Sequence, residues 1–264
     1  MRSKLVLVTI PASNYCEKAR WGLRLAKIDF TEEMHASLFA YMSTKTKGGK
    51  SVPLLFGGKA NPDFCLKSSD DILTYCGKSL PSLYPNDRVK EMELQMDNKF
   101  GPAARRFGYS LLFSMGTAAK DIMIDPLQGN LESYVVAATF PLLKAALIKS
   151  LNISDKGVER SWVRIQETFA KVDAILGDAP LGTQFIAGST FSAADISFCS
   201  HASLLLGPSQ NPFVGPYFQL QDAPQMHRDR YEELVSSKAG QFVLWCYANH
   251  YPRDSTEETT RSKE

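Results

Sequence analysis

Short apolar runs rich in β-branched residues, each closed off by turn residues, crowd the start of this 264-residue chain and almost vanish beyond residue 87. That asymmetry restricts the fold to a small mixed α/β unit followed by a larger, all-helical one. Leu5-Val6-Leu7-Val8-Thr9-Ile10, ended by Pro11, has the pattern of a strand covered on both faces. Ser13 and Asn14 offer caps for a helix over Tyr15–Lys27, with Cys16, Ala19, Leu23 and Ala26 along one side. Asp29–Met34 reads as a second strand, and Ser43–Lys50, rich in Lys, Thr and Gly, as a mobile loop. Val52–Phe56 is a third strand opened by Pro53, Gly57-Gly58 a turn, and a fourth strand lies near Phe64-Cys65-Leu66. Ser68 to Cys76 reads as a helix with Asp70 and Asp71 in its first turn, where the helix dipole favours acids. The order is βαβ, then ββα.

The Pro-rich stretch from Gly77 to Asp87 suits a boundary between two units. Helical patterns follow over Val89–Phe100, Ala103–Met115, Leu131–Leu151, Gly157–Leu176, Ser192–Leu206 and Tyr231–Tyr251, and Pro252–Glu264 reads as a disordered tail. Phe191-Ser192 to Asp195-Ile196 has the form of a capping box with a hydrophobic staple, a stabilising rather than a chemical device. A formal charge of +2 with scattered Lys and Arg gives no footprint for nucleic acid or an anionic membrane. No apolar run approaches the ~20 residues of a bilayer span, so no membrane span is expected. Five widely spaced cysteines without a C-x-x-C pair speak against disulfides or zinc and for a reducing compartment.

Four segments carry a resemblance. Ser13-Asn14-Tyr15-Cys16-Glu17-Lys18-Ala19-Arg20-Trp21-Gly22-Leu23 follows the first strand, and Val52-Pro53-Leu54-Leu55 forms the third. Ser68-Ser69-Asp70-Asp71-Ile72-Leu73-Thr74-Tyr75 opens the next helix, and Ser192-Ala193-Ala194-Asp195-Ile196 lies in the helical half. In this order the chain resembles the cytosolic glutathione transferases, with an active-site segment similar to the serine-type, tau-like members. Ser68 departs from the family's usual Glu, and Asn14 from the Pro of serine-type members.

The resemblance implies a thioredoxin-like glutathione-binding domain over residues 1–80 and an all-helical domain over 88–251. It also implies a cytoplasmic, detoxifying homodimer that needs no metal or resident cofactor. Its partners would be glutathione, as co-substrate, and a hydrophobic electrophile. Pro53 would be cis and Val52 would pair with the tripeptide backbone. Ser68 and Ser69 would stand at the helix start that receives the γ-glutamyl carboxylate. Lys45, Lys47 and Lys50 are candidates for the glycyl carboxylate.

A thiol of ordinary pKa is only about 3% thiolate at pH 7, and the thiolate is the reactive form. A hydroxyl donating to the sulfur stabilises the anion by about 1.5–3 kcal/mol, which lowers the pKa by roughly 1–2 units. Ser13 stands where such a donor is needed, and an N-cap serine can do both jobs. Tyr15 is a second possible donor. Cys16 is the residue a glutathione-dependent reductase or deglutathionylase would use, and a non-catalytic binding or scaffold protein would need none of the three. Phe107, Tyr109, Phe113 and Met115 are candidates to line the electrophile pocket, with Arg105 and Arg106 beside them for an anionic group.

Overall fold

A computed structural model of the chain describes residues 5–58 and 61–252. The tail expected over 252–264 lies outside the described residues except for Pro252. The four strands are β1 (Leu5–Thr9), β2 (Phe30–Met34), β3 (Leu54–Gly57) and β4 (Asn61–Leu66). They form one sheet in the order β2-β1-β3-β4, with β1 parallel to β2 and antiparallel to β3, and β3 antiparallel to β4. Leu7, Val8, Leu54 and Leu55 are fully buried, as the apolar runs anticipate. The peptide bond between Val52 and Pro53 is cis.

Helix α1 (Asn14–Leu25) joins β1 to β2, α2 (Ser37–Thr46) follows β2, and α3 (Ser69–Ser79) follows β4. A Cβ at Gly22 would lie 2.3 Å from the Leu73 side chain, so glycine is what lets α1 and α3 pack closely.

Among the described residues eight further α-helices follow: α4 (Asp87–Gln95), α5 (Gly101–Ser114), α6 (Ala118–Ile124), α7 (Leu131–Ser150), α8 (Asp155–Leu176), α9 (Ala193–Leu206), α10 (Gln225–Ser236) and α11 (Lys238–His250). A π-helical turn, Met96–Phe100, links α4 to α5, and Pro102, which has no N–H to donate, follows it at the start of α5. Beyond residue 87 the described residues contain no strand, only two isolated bridges near residues 181–188. The architecture is the expected one: a thioredoxin-like sheet unit followed by helices.

Every residue of α9 is buried, and α1, α4, α5 and α11 pack around it. A helix covered on all sides lies at the centre of a core, and the polar side chains it carries there need partners. Its start is fixed by Asp195, whose carboxylate accepts from Ser192 N–H and Ser192 Oγ–H at 2.8 Å and from Ile186 N–H at 2.9 Å. Burial pushes this carboxyl up to about 6 even against those donors. Asp195→Ala orphans two buried N–H groups and is expected to cost about 2–3 kcal/mol. A urea titration checks this, and a loss below ~0.5 kcal/mol would show that other acceptors replace the cap.

Local differences from the sequence expectation have identifiable causes. The segment read as a loop from Ser43 is in part the last turn of α2, and α6 carried no strong periodic signal. The expected single helix Tyr231–Tyr251 is two. Ser237 breaks it with extended backbone and caps α11, its Oγ accepting from Gly240 N–H at 3.0 Å, while Asp173 accepts from Ala239 N–H at 2.6 Å. Only glycine fits at 240, where a Cβ would sit 1.9 Å from the Leu234 carbonyl oxygen.

α7 corrects the membrane reading in one respect. It is a 20-residue helix containing an 18-residue window of mean hydropathy 1.5, long and apolar enough by those measures to cross a bilayer. Glu132, Lys144 and Lys149 divide it into shorter runs, which is why a count of uninterrupted apolar residues misses it. Leu131, Tyr134 and Leu142 on its outer side are each at least 70% exposed.

Candidate active site

Ser13 is the N-cap of α1: its Oγ accepts from Cys16 N–H at 3.4 Å, and its backbone is extended. This cap uses one of the hydroxyl's two lone pairs, and the Cys16 thiol stands within hydrogen-bonding reach of the same side chain. The turn that presents it is held by Arg20, a fully buried side chain donating to the carbonyls of Pro11 at 3.0 Å and Ile10 at 3.2 Å. Arg20 is held in turn by Glu32 on β2, 2.6 Å from its Nε, and lies over the Phe213 ring. The basic residue of the α1 segment thus braces the turn carrying Ser13.

A cleft of about 240 Å³ opens at this turn. The sheet unit contributes Ile10, Ser13, Tyr15 and the loop Lys50-Ser51-Val52, with Ser37, Ala40 and Tyr41 from α2. The helical part contributes Arg105 and Tyr109 from α5 and Leu147 and Leu151 from α7 and its end. The cleft therefore gathers Ser13 and Val52 of the residues expected at the site, while Pro53, Ser68 and Ser69 are not part of its lining. Ser68 is the N-cap of α3, its Oγ accepting from Asp71 N–H at 3.0 Å, and Ser69 is buried in that helix's first turn. Lys50 reaches the cleft, whereas Lys47 pairs with Glu33 at 2.8 Å. Of the expected pocket aromatics only Tyr109 lines it. Phe107 packs against Trp162 and His227, and Met115 is fully buried in a separate cluster.

The two other candidates for activating a thiol are differently placed. Cys16 is wholly buried, and that burial, against the pull of Arg20 and Ser13, pushes its thiol up. Tyr15 borders the cleft, but its hydroxyl donates to the Asp97 carbonyl at 2.8 Å, and burial pushes its phenol up to about 12. It is engaged as a neutral donor.

Beneath Tyr15 runs a buried polar network that sequence reading did not find. Lys18 Nζ lies 2.7 Å from Glu93 and 2.5 Å from Asp97. Asp97 also receives Ser197 Oγ–H at 2.6 Å and faces His201 Nε2 at 2.9 Å. Asn14 Nδ2 donates to the Gly101 carbonyl at 3.2 Å and to His201 Nδ1 at 2.9 Å. His201 thus accepts at Nδ1 and donates from Nε2, a neutral ring, in keeping with burial pulling its pKa down. The departure at Asn14 is what lets α1 grip both α5 and α9. Asp70, Glu93 and Asp97 bring ligand atoms within 4.8 Å of one another, but the ammonium groups of Lys18 and Lys90 already pair with them.

A wider groove of about 560 Å³ lies along β2, lined by Glu32, Glu33 and Glu132 among others. Its carboxylates disfavour an anionic peptide, and none of the expected site residues lines it.

No family model matches the chain, and no curated protein matches it in sequence. Solved structures do match. Glutathione transferase GSTFuA3 from Phanerochaete chrysosporium superposes with a TM-score of 0.61 at 13% identity, over 95% of this chain and 98% of that one. A glutathione S-transferase of Ceriporiopsis subvermispora, in complex with glutathione, gives 0.57 at 13% identity over 96% and 99%. Poplar glutathione transferase F1 gives 0.51 at 16% identity over 93% and 99%. Shared architecture along the whole length at so little shared sequence establishes the fold: this chain is built on the frame of the glutathione transferases.

Proposed function

We propose that the chain is a glutathione transferase of the serine type, in which Ser13 donates a hydrogen bond to the glutathione thiolate and the sulfur then attacks an electrophile held in the same cleft. One observation carries this reading. The half-buried Ser13 hydroxyl borders a cleft between the two parts of the molecule, at the N-terminus of α1. The α1 N-terminus behind it adds roughly 0.3–1 kcal/mol toward an anion. With the hydroxyl's ~1.5–3 kcal/mol, that is enough to make the thiolate the major species near neutral pH.

The peptide of glutathione would lie along Val52, at the cis Pro53 turn, with its γ-glutamyl carboxylate at the first turn of α3. Ser69→Ala is expected to weaken glutathione binding by about 1–3 kcal/mol, read by calorimetry on a folded variant. An unchanged dissociation constant would remove Ser69 from the site. The reductase reading needs a thiolate at Cys16, which burial disfavours. Retention on a glutathione resin followed by turnover on a panel of electrophiles tests the function itself. Retention with no turnover on any of them would leave a binding protein.

A further inference from the structure

The cleft carries an excess of positive charge, of which glutathione bound at Val52 and α3, with its glycyl carboxylate at Lys50, would leave Arg105 unmet. Its lining includes Arg105 and Lys50 and no Asp or Glu. Lys50 is on the sheet side, beside Val52. Arg105 is on the opposite wall, on α5, next to Tyr109 and facing Tyr15, whose ring centroid is 5.8 Å from the guanidinium carbon. The neighbouring Arg106 shows what an arginine on this helix does when it is structural. Its Nε donates to the Leu151 carbonyl at 2.7 Å, and a terminal nitrogen donates to Ser161 Oγ at 2.8 Å. Arg105 has no such partner. Among the described residues it makes no hydrogen bond and no ion pair, and its Nε is buried without an acceptor. Buried donors are almost always satisfied, and an orphan in a cleft wall points to an acceptor that arrives with a ligand. A guanidinium presents a planar fork of donors that matches a carboxylate or sulfonate. Around it Ile10, Tyr109, Leu147 and Leu151 offer an apolar bed for the rest of such a molecule.

We infer that Arg105 reads an anionic group on the second substrate, so that the electrophile this cleft selects is an aromatic or apolar body bearing a carboxylate or sulfonate. This rests on the transferase reading and names its substrate class.

The test uses 4-chloro-3-nitrobenzoate and its neutral methyl ester as matched probes. With either, the glutathione sulfur bonds to the ring carbon that carries chlorine, and chloride leaves with the pair of the broken C–Cl bond. Arg105→Gln is expected to lower kcat/KM for the benzoate roughly 10- to 100-fold, and to leave the ester within about twofold. The KM for glutathione and the ultraviolet titration of its bound thiolate should not move, and Arg105→Lys should recover part of the loss. Equal losses on both probes, a shifted thiolate titration, or no loss at all would each overturn the assignment. Calorimetry with unreactive 3-nitrobenzoate reads the same contact without turnover. Wild-type binding that falls about tenfold in Arg105→Gln supports the anion site even if neither probe is conjugated, in which case it is the transferase reading that falls. No binding of 3-nitrobenzoate to the wild type would overturn the anion site directly.

Discussion

Ser13→Ala is expected to raise the pKa of bound glutathione by about 1–2 units and to cut conjugation near neutral pH roughly tenfold or more, with little change in glutathione affinity. The asymmetry follows from where the hydrogen bond is made. A hydroxyl donates strongly to a thiolate and weakly to a thiol, so its loss falls on the ionised state and leaves the neutral complex nearly as stable. Activity should therefore return as pH rises above the new pKa, whereas a variant that had lost glutathione binding would stay impaired at every pH. Cys16→Ser is the companion: it replaces a fully buried thiol and should leave conjugation mostly intact apart from packing. The pH dependence of turnover and ultraviolet titration of the thiolate, run on both variants, decide the matter. An unshifted titration in Ser13→Ala would move the catalytic label away from residue 13.

The largest expected loss of stability comes from Lys18→Met, at about 3–5 kcal/mol, the range for removing one partner from a buried ion pair. The ammonium is wholly buried between Glu93, also wholly buried, and Asp97, 9% exposed. Without it two carboxylates share a dry seam with only Lys90 in reach of one of them. Against burial, His201 and Lys18 hold the Asp97 carboxyl well below its usual range. A depressed folded-state pKa contributes stability above the unfolded value of ~3.9 and loses it as pH falls. In Lys18→Met that contribution shrinks, so stability at neutral pH should drop more than stability in acid. Urea midpoints at neutral pH and near pH 2, well below the unfolded value, measure both. A neutral-pH loss under ~1 kcal/mol would mean that water reaches the seam and replaces the ammonium.

What could be read in the sequence was what is local. The apolar run ending at Pro11, the serine that caps the next helix and the Ser192–Asp195 box stand where the pattern put them, while the strand expected over Val52–Phe56 begins only at Leu54, after the cis Pro53. What escaped depends on distant partners. α2 has no capping side chain of its own; the N–H of its N-cap, Ala36, is accepted by Glu132 of α7 at 2.9 Å, across 96 positions. No window around residue 36 contains that acceptor. Asn14 looked like a departure from a family pattern because its partners, Gly101 and His201, lie 87 and 187 residues away. The aromatics of α5 were sorted wrongly for a related reason. Periodicity says which residues share a face, while the choice between core and cleft for Phe107 and Tyr109 is made by where α8, α10 and the sheet unit happen to lie. Arg105 and Arg106 are indistinguishable as a dipeptide and separate only once Leu151 and Ser161 have claimed one of them.

The same reach across the chain bears on how the protein is made. Trp21 on α1 is fully buried, its ring against Tyr247 and Tyr251 and its indole N–H donating at 3.1 Å to the carbonyl of His250, 229 residues further on. At a synthesis rate of roughly 5–20 residues per second, the wall that covers this tryptophan is made about 10–50 s after it. Until then the nascent sheet unit carries an uncovered aromatic face, a surface for chaperones or for aggregation. A chain stopped before α11 would carry it permanently.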